Sequence, residues 1–373
     1  MTTDQSPGRA TAAVDPDALN QLLGQVITDA GGALILPLAL LGDRLGLFTE
    51  LAAGGPATAA ELAERTGLTE RYLREWLLAM ATAGYVTYLD ELAGPGGDRS
   101  AAGASYRLSP EQAEAFTNPD SPAYVAGAFQ NLTAATRALD QLTDCFRTGA
   151  GIAWSEQHED MFEGTERFFR PGYLANLTSS WIPSLSGAEQ KLTEGAQVAD
   201  VGCGFGASTI IMAQAYPNSR FDGFDYHPPS IAAAQDRAAA AGVAGQVTFR
   251  AAGAADLSGR YDLITFFDCL HDLPDPLGAL RSARAAMADD GSVMLVEPMS
   301  WDTVDECRNP LGKVLAGAST FVCLPSGLSA EPGRGLGNQA GPAQTCALAR
   351  EAGFGVAREA AASDFNRVYE LRS

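Results

Sequence analysis

Leu34, Leu38, Leu41 and Leu45 recur at helical spacing. They fall in a stretch, residues 16–52, that reads as helical and is apolar on more than one side. Such a segment has to be covered, by the rest of the fold or by a partner subunit. We expect it to pair two copies of the chain as a homodimer, with Gly31–Gly32 and Pro37 as its breaks. Residues 1–14 are small and polar and are expected to be a disordered tail. Thr58 and Glu61 then form a capping box for a helix that ends at Gly67. Thr69 is placed to cap a second helix, with Tyr72, Leu73, Trp76, Leu77 and Met80 on its apolar side. Tyr85–Tyr88 and Ser105–Leu108 read as two strands around a Gly/Pro-rich loop, Gly94 to Gly103. This is the outline of a winged helix.

Residues 110–193 read as helices interrupted at Pro119, Pro122, Pro171 and Pro183. Phe162, Phe168, Phe169 and Tyr173, within the segment Trp154 to Trp181, either line a substrate cavity or fill a helical core. From about Ala196 strands and helices alternate, the signature of a parallel sheet. The strands are Gln197–Asp200, Arg220–Asp225, Val247–Ala251, Tyr261–Asp268 and Ser292–Glu297. The helices between them run on to Ala215, from Ile231 to Ala241 and from Leu277 to Met287. The expected organisation is a tail (1–14), a winged-helix dimerisation domain (15–110), a helical region over the substrate (111–195) and a doubly wound α/β domain (196–373).

Composition narrows the function. The 373 residues carry a formal charge of −20, a surface that repels phosphate backbones and anionic membranes. In the winged-helix segment Arg65, Arg71 and Arg74 face Glu61, Glu64, Glu70 and Glu75, which argues against nucleic acid as a partner. The six cysteines include no CxxC pair, so neither a disulfide framework nor a zinc site is expected. No signal peptide is evident. The most apolar run, Ala33–Leu41, falls well short of the ~20 residues of a membrane span. Cytoplasmic residence follows as the expectation.

The chemistry centres on Asp200-Val-Gly-Cys-Gly-Phe-Gly206, where a strand passes into a helix at the carboxyl end of the sheet. Glycines there let the backbone turn sharply and approach a ligand. Asp225 ends the next strand, where a carboxylate accepts both hydroxyls of a ribose. A dinucleotide dehydrogenase shares such a loop, and Ala207 at the third glycine position does not dismiss it. The single unit, starting only after a long helical region, disfavours it.

Asp200 to Gly206, Asp225 and Phe266-Phe-Asp-Cys-Leu-His-Asp272 resemble class I S-adenosylmethionine-dependent methyltransferases. Tyr226-His-Pro228, Val296-Glu-Pro298 and Phe365-Asn366 extend the resemblance to a bacterial winged-helix-fused family, from about residue 20 onward. The domain order is similar to that of small-molecule O-methyltransferases, whose N-terminal domain builds the dimer. The resemblance implies S-adenosylmethionine as cofactor and S-adenosylhomocysteine as product. It implies that Asp200, Gly202, Cys203, Gly204 and Gly206 surround the methionine part. Asp225 would hold the ribose, with Tyr226 beside it. Gly253, Ala254 and Asp256 would lie at the adenine, and Asp268 near the sulfonium.

Methyl transfer needs the nucleophile aligned and its proton removed. An imidazole can take that proton near neutral pH, and the resemblance makes His271 the general base, with Glu297 and Asp268 beside it. His158 and His227 are lesser candidates. The block reads His271-Asp272-Leu273 where the related enzymes have Trp third. Asn338 and Gln339 are candidates to orient the substrate. No metal is expected, since no Asp-Asp-Asn set is visible. The function expected is methyl transfer to a small molecule, at oxygen by preference. Transfer to nitrogen or carbon, a ligand-sensing regulator and a noncatalytic scaffold are the alternatives.

Overall fold

The computed structural model describes residues 13–89 and 103–373. Most of the expected tail, and residues 94–102 of the glycine-rich loop, lie outside the described residues. The chain divides into two units, Met1–Ser109 and Pro110–Ser373.

The first unit opens with α1, Pro16–Arg44, whose first turn is capped by the Asp15 carboxylate. Contrary to the sequence expectation, α1 runs unbroken through Gly31, Gly32 and Pro37. Packing just past the proline outweighs its missing N–H. Ala39, Leu40 and Gly42 are buried, and the Trp76 indole donates to the Leu38 carbonyl at 2.9 Å. Upstream, Leu19, Leu22, Leu23, Val26, Ile27 and Leu34 are exposed. The continuous helix also corrects the expectation of no span. By length and composition α1 is long and apolar enough to cross a membrane.

There follow α2 (Leu47–Gly54), β1 (Ala57–Thr58), α3 (Ala59–Thr66), α4 (Glu70–Thr82), β2 (Thr87–Tyr88) and β3 (Ser105–Arg107). The strands form an antiparallel sheet in the order β1-β3-β2, with Tyr88 opposite Tyr106. The Thr58–Glu61 capping box is present, whereas Thr69 makes no capping hydrogen bond. Strand β2 starts later than expected because Tyr85 and Val86 donate their N–H groups back to Met80 and close the end of α4. The three arginines are engaged within the unit. Arg65 donates to the carbonyls of Gly54, Gly55 and Pro56, Arg71 to Glu75 and Arg74 to Glu70.

The second unit begins with helices α5 (Pro110–Thr117), α6 (Ala126–Thr136), α7 (Leu139–Thr148), α8 (Glu159–Asn176) and α9 (Ala188–Glu194). Pro171 lies inside α8 and does not end it. Helices α6 and α8 pack so closely that a Cβ on Gly127 would sit 2.4 Å from the Phe168 nitrogen. The sheet is built from β4 (Gln197–Val201), β5 (Arg220–Asp225), β6 (Val247–Ala251), β7 (Tyr261–Phe267), β8 (Met287–Pro298), β9 (Val356–Ala362) and β10 (Asn366–Arg372). Between them run α10 (Ala207–Ala215), α11 (Pro228–Ala240), α12 (Pro276–Ala286), α13 (Val304–Cys307), α14 (Pro310–Ala318), α15 (Leu324–Gly327) and α16 (Gly341–Glu351).

The strand order is β6-β5-β4-β7-β8-β10-β9. The first five are parallel; β10 pairs antiparallel with both β8 and β9. The order reverses beside β4, which opens a crevice at the carboxyl ends of the strands. One apolar layer, including Trp181, Phe221 and Met294, covers one face of the sheet, and another, including Phe266, Leu280 and Leu295, covers the other.

Phe266 is fully buried in the middle of the sheet. Phe266→Ala is expected to cost about 3–5 kcal/mol, read as a lower unfolding midpoint by circular dichroism. Val304→Ala, at an exposed position, should stay within about 0.5 kcal/mol of the parent.

Candidate active site

Asp200 is the penultimate residue of β4, and its carboxylate is what shapes the loop that follows. Oδ2 accepts hydrogen bonds from Ser208 Oγ (2.7 Å) and Thr209 Oγ1 (2.5 Å), and Oδ1 accepts one from Thr265 Oγ1 (2.9 Å). One acid thereby ties β4 to α10 and β7. Burial pushes its pKa up, and the hydroxyl donors offset only part of that. Gly202 adopts a φ of +73°, and a Cβ there would come within 2.7 Å of Cys269 Sγ. Only glycine fits that turn.

Asp225, at the end of β5, receives the Gly204 amide on Oδ2 and the His227 amide on Oδ1, both at 2.9 Å. Burial raises its pKa. Each oxygen retains a lone pair for a ligand hydroxyl. The Tyr226 hydroxyl accepts the Ser155 amide at 3.1 Å and so ties the helical layer to the end of the sheet.

Past β7, Asp268 takes a φ of +50°, the one positive value at a non-glycine among the described residues. The turn ends the strand one residue earlier than expected. The Asp268 carboxylate accepts from Tyr173 Oη (2.8 Å) and Asn366 Nδ2 (2.7 Å). Burial pushes its pKa up to about 8, aided by the charge of Glu297 and opposed by the two donors.

His271 follows in a single turn and is buried. Its Nδ1 lies 2.5 Å from Glu297 Oε2 and its Nε2 lies 3.3 Å from Asp272 Oδ1. Glu297 reaches it from the end of β8 and also accepts the Leu270 amide. Against the carboxylate, Nδ1 carries the hydrogen and Nε2 presents the lone pair of the neutral ring. Burial alone would lower the imidazole pKa; the Glu297 and Asp272 carboxylates overcome it and hold the value well above the usual one. The resting ring therefore favours its doubly protonated form, and the neutral form, which carries the free Nε2 lone pair, takes up a proton more avidly than a free imidazole does.

These groups meet at one cavity of about 860 Å³, toward the upper end of the roughly 300–1,000 Å³ range of small-molecule sites. Gly202, Cys203, Gly204, Asp225, Tyr226, Gly253, Ala254, Asp268 and His271 line it. Asp200 and Gly206 stand behind the wall, as does Glu297, which acts on the cavity through His271. Asp256 does not line it either; its carboxylate accepts the Gly253 amide and closes a turn. His227 lies tilted against the Phe162 ring, with centroids 4.7 Å apart, and His158 caps α8. Asn338 lines the cavity, whereas Gln339 donates to the Met299 carbonyl. The aromatic segment divides: Trp154, Phe162, Phe168, Phe169 and Tyr173 face the cavity, while Trp181 is buried in the core.

The sequence points to segments 154–181 and 300–345 as shaping the acceptor pocket, but does not single out Glu166, Cys323 and Glu331 within them, which also line the cavity. Among the described residues that line it there is no lysine or arginine, against Glu166, Asp225, Asp268, Asp272, Asp275 and Glu331.

The parallel sheet, its antiparallel edge and the glycine loop define a class I methyltransferase. A family profile described as "Methyltransferase domain" matches residues 199–293, and one described as "Rv2258c-like winged HTH domain" matches residues 32–118. The ubiquinone biosynthesis O-methyltransferase of Bordetella avium (strain 197N) is 30% identical over 200 residues, covering 51% of this chain and 73% of that protein. The mitomycin biosynthesis 6-O-methyltransferase of Streptomyces lavendulae is 27% identical over 308 residues, 79% of this chain and 81% of that one. Human N-acetylserotonin methyltransferase, solved in complex with S-adenosylmethionine, shares the fold with a TM-score of 0.69 at 18% identity, over 97% of this chain and 99% of that one. The mitomycin 7-O-methyltransferase structure gives 0.67 at 20%, over 96% and 100%. The chain belongs to the S-adenosylmethionine-dependent methyltransferases, with a winged-helix unit ahead of the methyltransferase domain.

The residues present fit that cofactor. A Cβ at Gly204 would meet nothing within 4 Å, so the loop leaves open space beside Asp225. Acids without lysine or arginine suit a sulfonium cation. Removing Asp200 would strand the buried hydroxyls of Ser208 and Thr209, while Thr265 keeps the Ala199 carbonyl as an acceptor. Asp200→Ala is expected to cost about 1–3 kcal/mol for each that finds no new partner, measured by chemical denaturation. An unchanged midpoint would show that the clamp is dispensable.

Proposed function

We propose that the protein transfers a methyl group from S-adenosylmethionine to an oxygen of a small aromatic acceptor, with His271 as general base. The observation that carries this is the His271 imidazole on the cavity wall, its Nδ1 fixed by Glu297 and its Nε2 left for the acceptor's proton.

When bound, the cofactor supplies a methyl group on an electrophilic sulfonium. Asp225 is placed to hold the ribose hydroxyls, and the turn at Gly202 and Gly204 lets the backbone approach the methionine part. Gly253 and Ala254 lie where the adenine would rest. Asp268, fixed by Tyr173 and Asn366, is assigned to the sulfonium region. His271 Nε2 takes the hydroxyl proton as the oxygen attacks, and Glu297 stabilises the imidazolium that results. His271→Ala is expected to keep cofactor binding by calorimetry and to lose about 10²–10⁴-fold in turnover. Unchanged turnover would remove the base assignment. Asp225→Ala should weaken cofactor binding in the same measurement, with NAD as the non-binding comparison.

The wall narrows the acceptor. Aromatic side chains favour a flat apolar body, and a lining with Asp225, Asp272, Asp275 and Glu331 but no lysine or arginine among its described residues disfavours an anion, although Glu166 is paired with Arg237 and Asp268, raised to about 8, is mostly protonated at neutral pH. In a panel of phenols, those carrying a carboxylate are expected to show kcat/KM at least tenfold below their methyl esters. Equal values would refute the electrostatic selection.

The exposed apolar residues of α1 support a homodimer, and the six free cysteines suit a reducing cytoplasm, which the proposal takes as the enzyme's compartment. Val26→Asp with Ile27→Asp should shift the mass measured by light scattering from dimer to monomer. A parent protein that is monomeric, or that requires detergent, would overturn the dimer. The internal pairing of Arg65, Arg71 and Arg74 counts against reading DNA.

A further inference from the structure

The end of the cavity beyond His271 holds a group of side chains that methyl transfer does not require. Cys323 is brought there by the π-helical turn Ser319–Cys323 that follows α14. The ligand atoms of His271, Asp272 and Cys323 all lie within 4.8 Å of one another, and all three residues line the cavity. Asp272 Oδ1 is buried and accepts no hydrogen bond. It stands 3.3 Å from His271 Nε2. Two donors, each about 2.0–2.1 Å from a tetrahedral ion, stand about 3.3 Å apart.

We propose that His271, Asp272 and Cys323 form a binding site for a thiophilic divalent cation, zinc foremost, and that a metal held there switches methyl transfer off. The second half rests on His271 being the base; the first does not.

The surroundings are those of a metal site. Glu297 on Nδ1 orients the imidazole and leaves Nε2 to the metal, the carboxylate–histidine arrangement common behind zinc ligands. The Asn338 amide donates to Cys323 Sγ at 3.4 Å and fixes the sulfur. The mixture of thiol, imidazole and carboxylate selects zinc or cobalt over magnesium or calcium, which prefer oxygen alone. Charge points the same way. Asp272 lies in a wall without lysine or arginine among its described residues, and Glu297 stands behind it on His271. On binding, the Cys323 thiol and the His271 imidazolium each give a proton to solvent, and S–metal and Nε2–metal bonds replace S–H and Nε2–H. The thiolate and the Asp272 carboxylate then balance the two positive charges. With its lone pair on the metal, Nε2 can no longer take the acceptor's proton.

The test uses the full-length protein stripped of metal with a chelator. Cobalt(II) serves as the spectroscopic probe, because a thiolate ligand gives a charge-transfer band in the near ultraviolet. Zinc affinity is read by competition with a chromophoric chelator. The parent is expected to bind one equivalent and to show the band. Cys323→Ser should lose the band, and both it and Asp272→Asn should bind zinc at least tenfold more weakly. Cys346→Ser, on α16, should retain band and affinity, and circular dichroism checks that each variant is folded. Absence of the band in the parent, or its persistence in Cys323→Ser, overturns the site. In the activity arm, stoichiometric zinc should abolish turnover of the parent and the chelator should restore it. A protein that binds zinc through Cys323 yet turns over fully would keep the site and overturn the switch, and with it the base role of His271. Loss of turnover in His271→Ala without any metal binding would leave the base role standing and remove the metal.

Discussion

The geometry of the cavity depends on one carboxylate that has no cation. Asp200 is buried near the end of β4, and three hydroxyl groups from two other elements converge on it. Hydroxyls carry no charge, so the acid stays costly to ionise, as its raised pKa shows. In return the start of α10 is tied to β4 and β7. The loop between β4 and α10 is then held at both ends, and the Asp225 carboxylate secures its middle through the Gly204 amide. A loop fixed at three points presents the same backbone to each ligand, which is what pre-organisation requires.

The second half of the site is assembled the same way, by acids gripping from behind. Glu297 comes from the end of β8 and His271 from the turn after β7, adjacent strands in the sheet. Asp268 is gripped in turn by Tyr173 from α8 and Asn366 from β10. The antiparallel β10 therefore serves the site directly, since its first residue reaches across β8 to hold an acid after β7.

The sequence made the front of the site and the Glu297 support of His271 legible, and hid how Tyr173 and Asn366 hold Asp268. Asp268 and His271 follow β7, whose apolar run is nearly continuous, and Asp225 ends a strand of mixed pattern one unit after the glycine loop, so their position was readable. The glycine loop carried its own signature. Asp200 looked like a cofactor residue because it stands beside the loop, and only burial and three-way hydrogen bonding show it behind the wall. Cys323 was invisible, because a π-helical turn far along the chain brings it to His271. Strands β9 and β10 went unread, and for β9 the reason is that Val356–Ala362 is rich in alanine and mostly uncovered, with little strand pattern. The unbroken α1 was missed because local propensity argues for breaks at Gly31–Gly32 and Pro37. The contact of Trp76 with Leu38 and Gly42 is a tertiary fact that no local rule contains.

The acid-rich, cation-poor lining has a consequence for what happens after the chemistry. A wall of that sign grips a positively charged guest more firmly than an uncharged one of nearly the same shape. Methyl transfer discharges the sulfonium, so the loaded and the spent forms of the donor differ by one unit of charge and one methyl group. A lining of that sign distinguishes the two forms by charge and favours the loaded donor over the spent one.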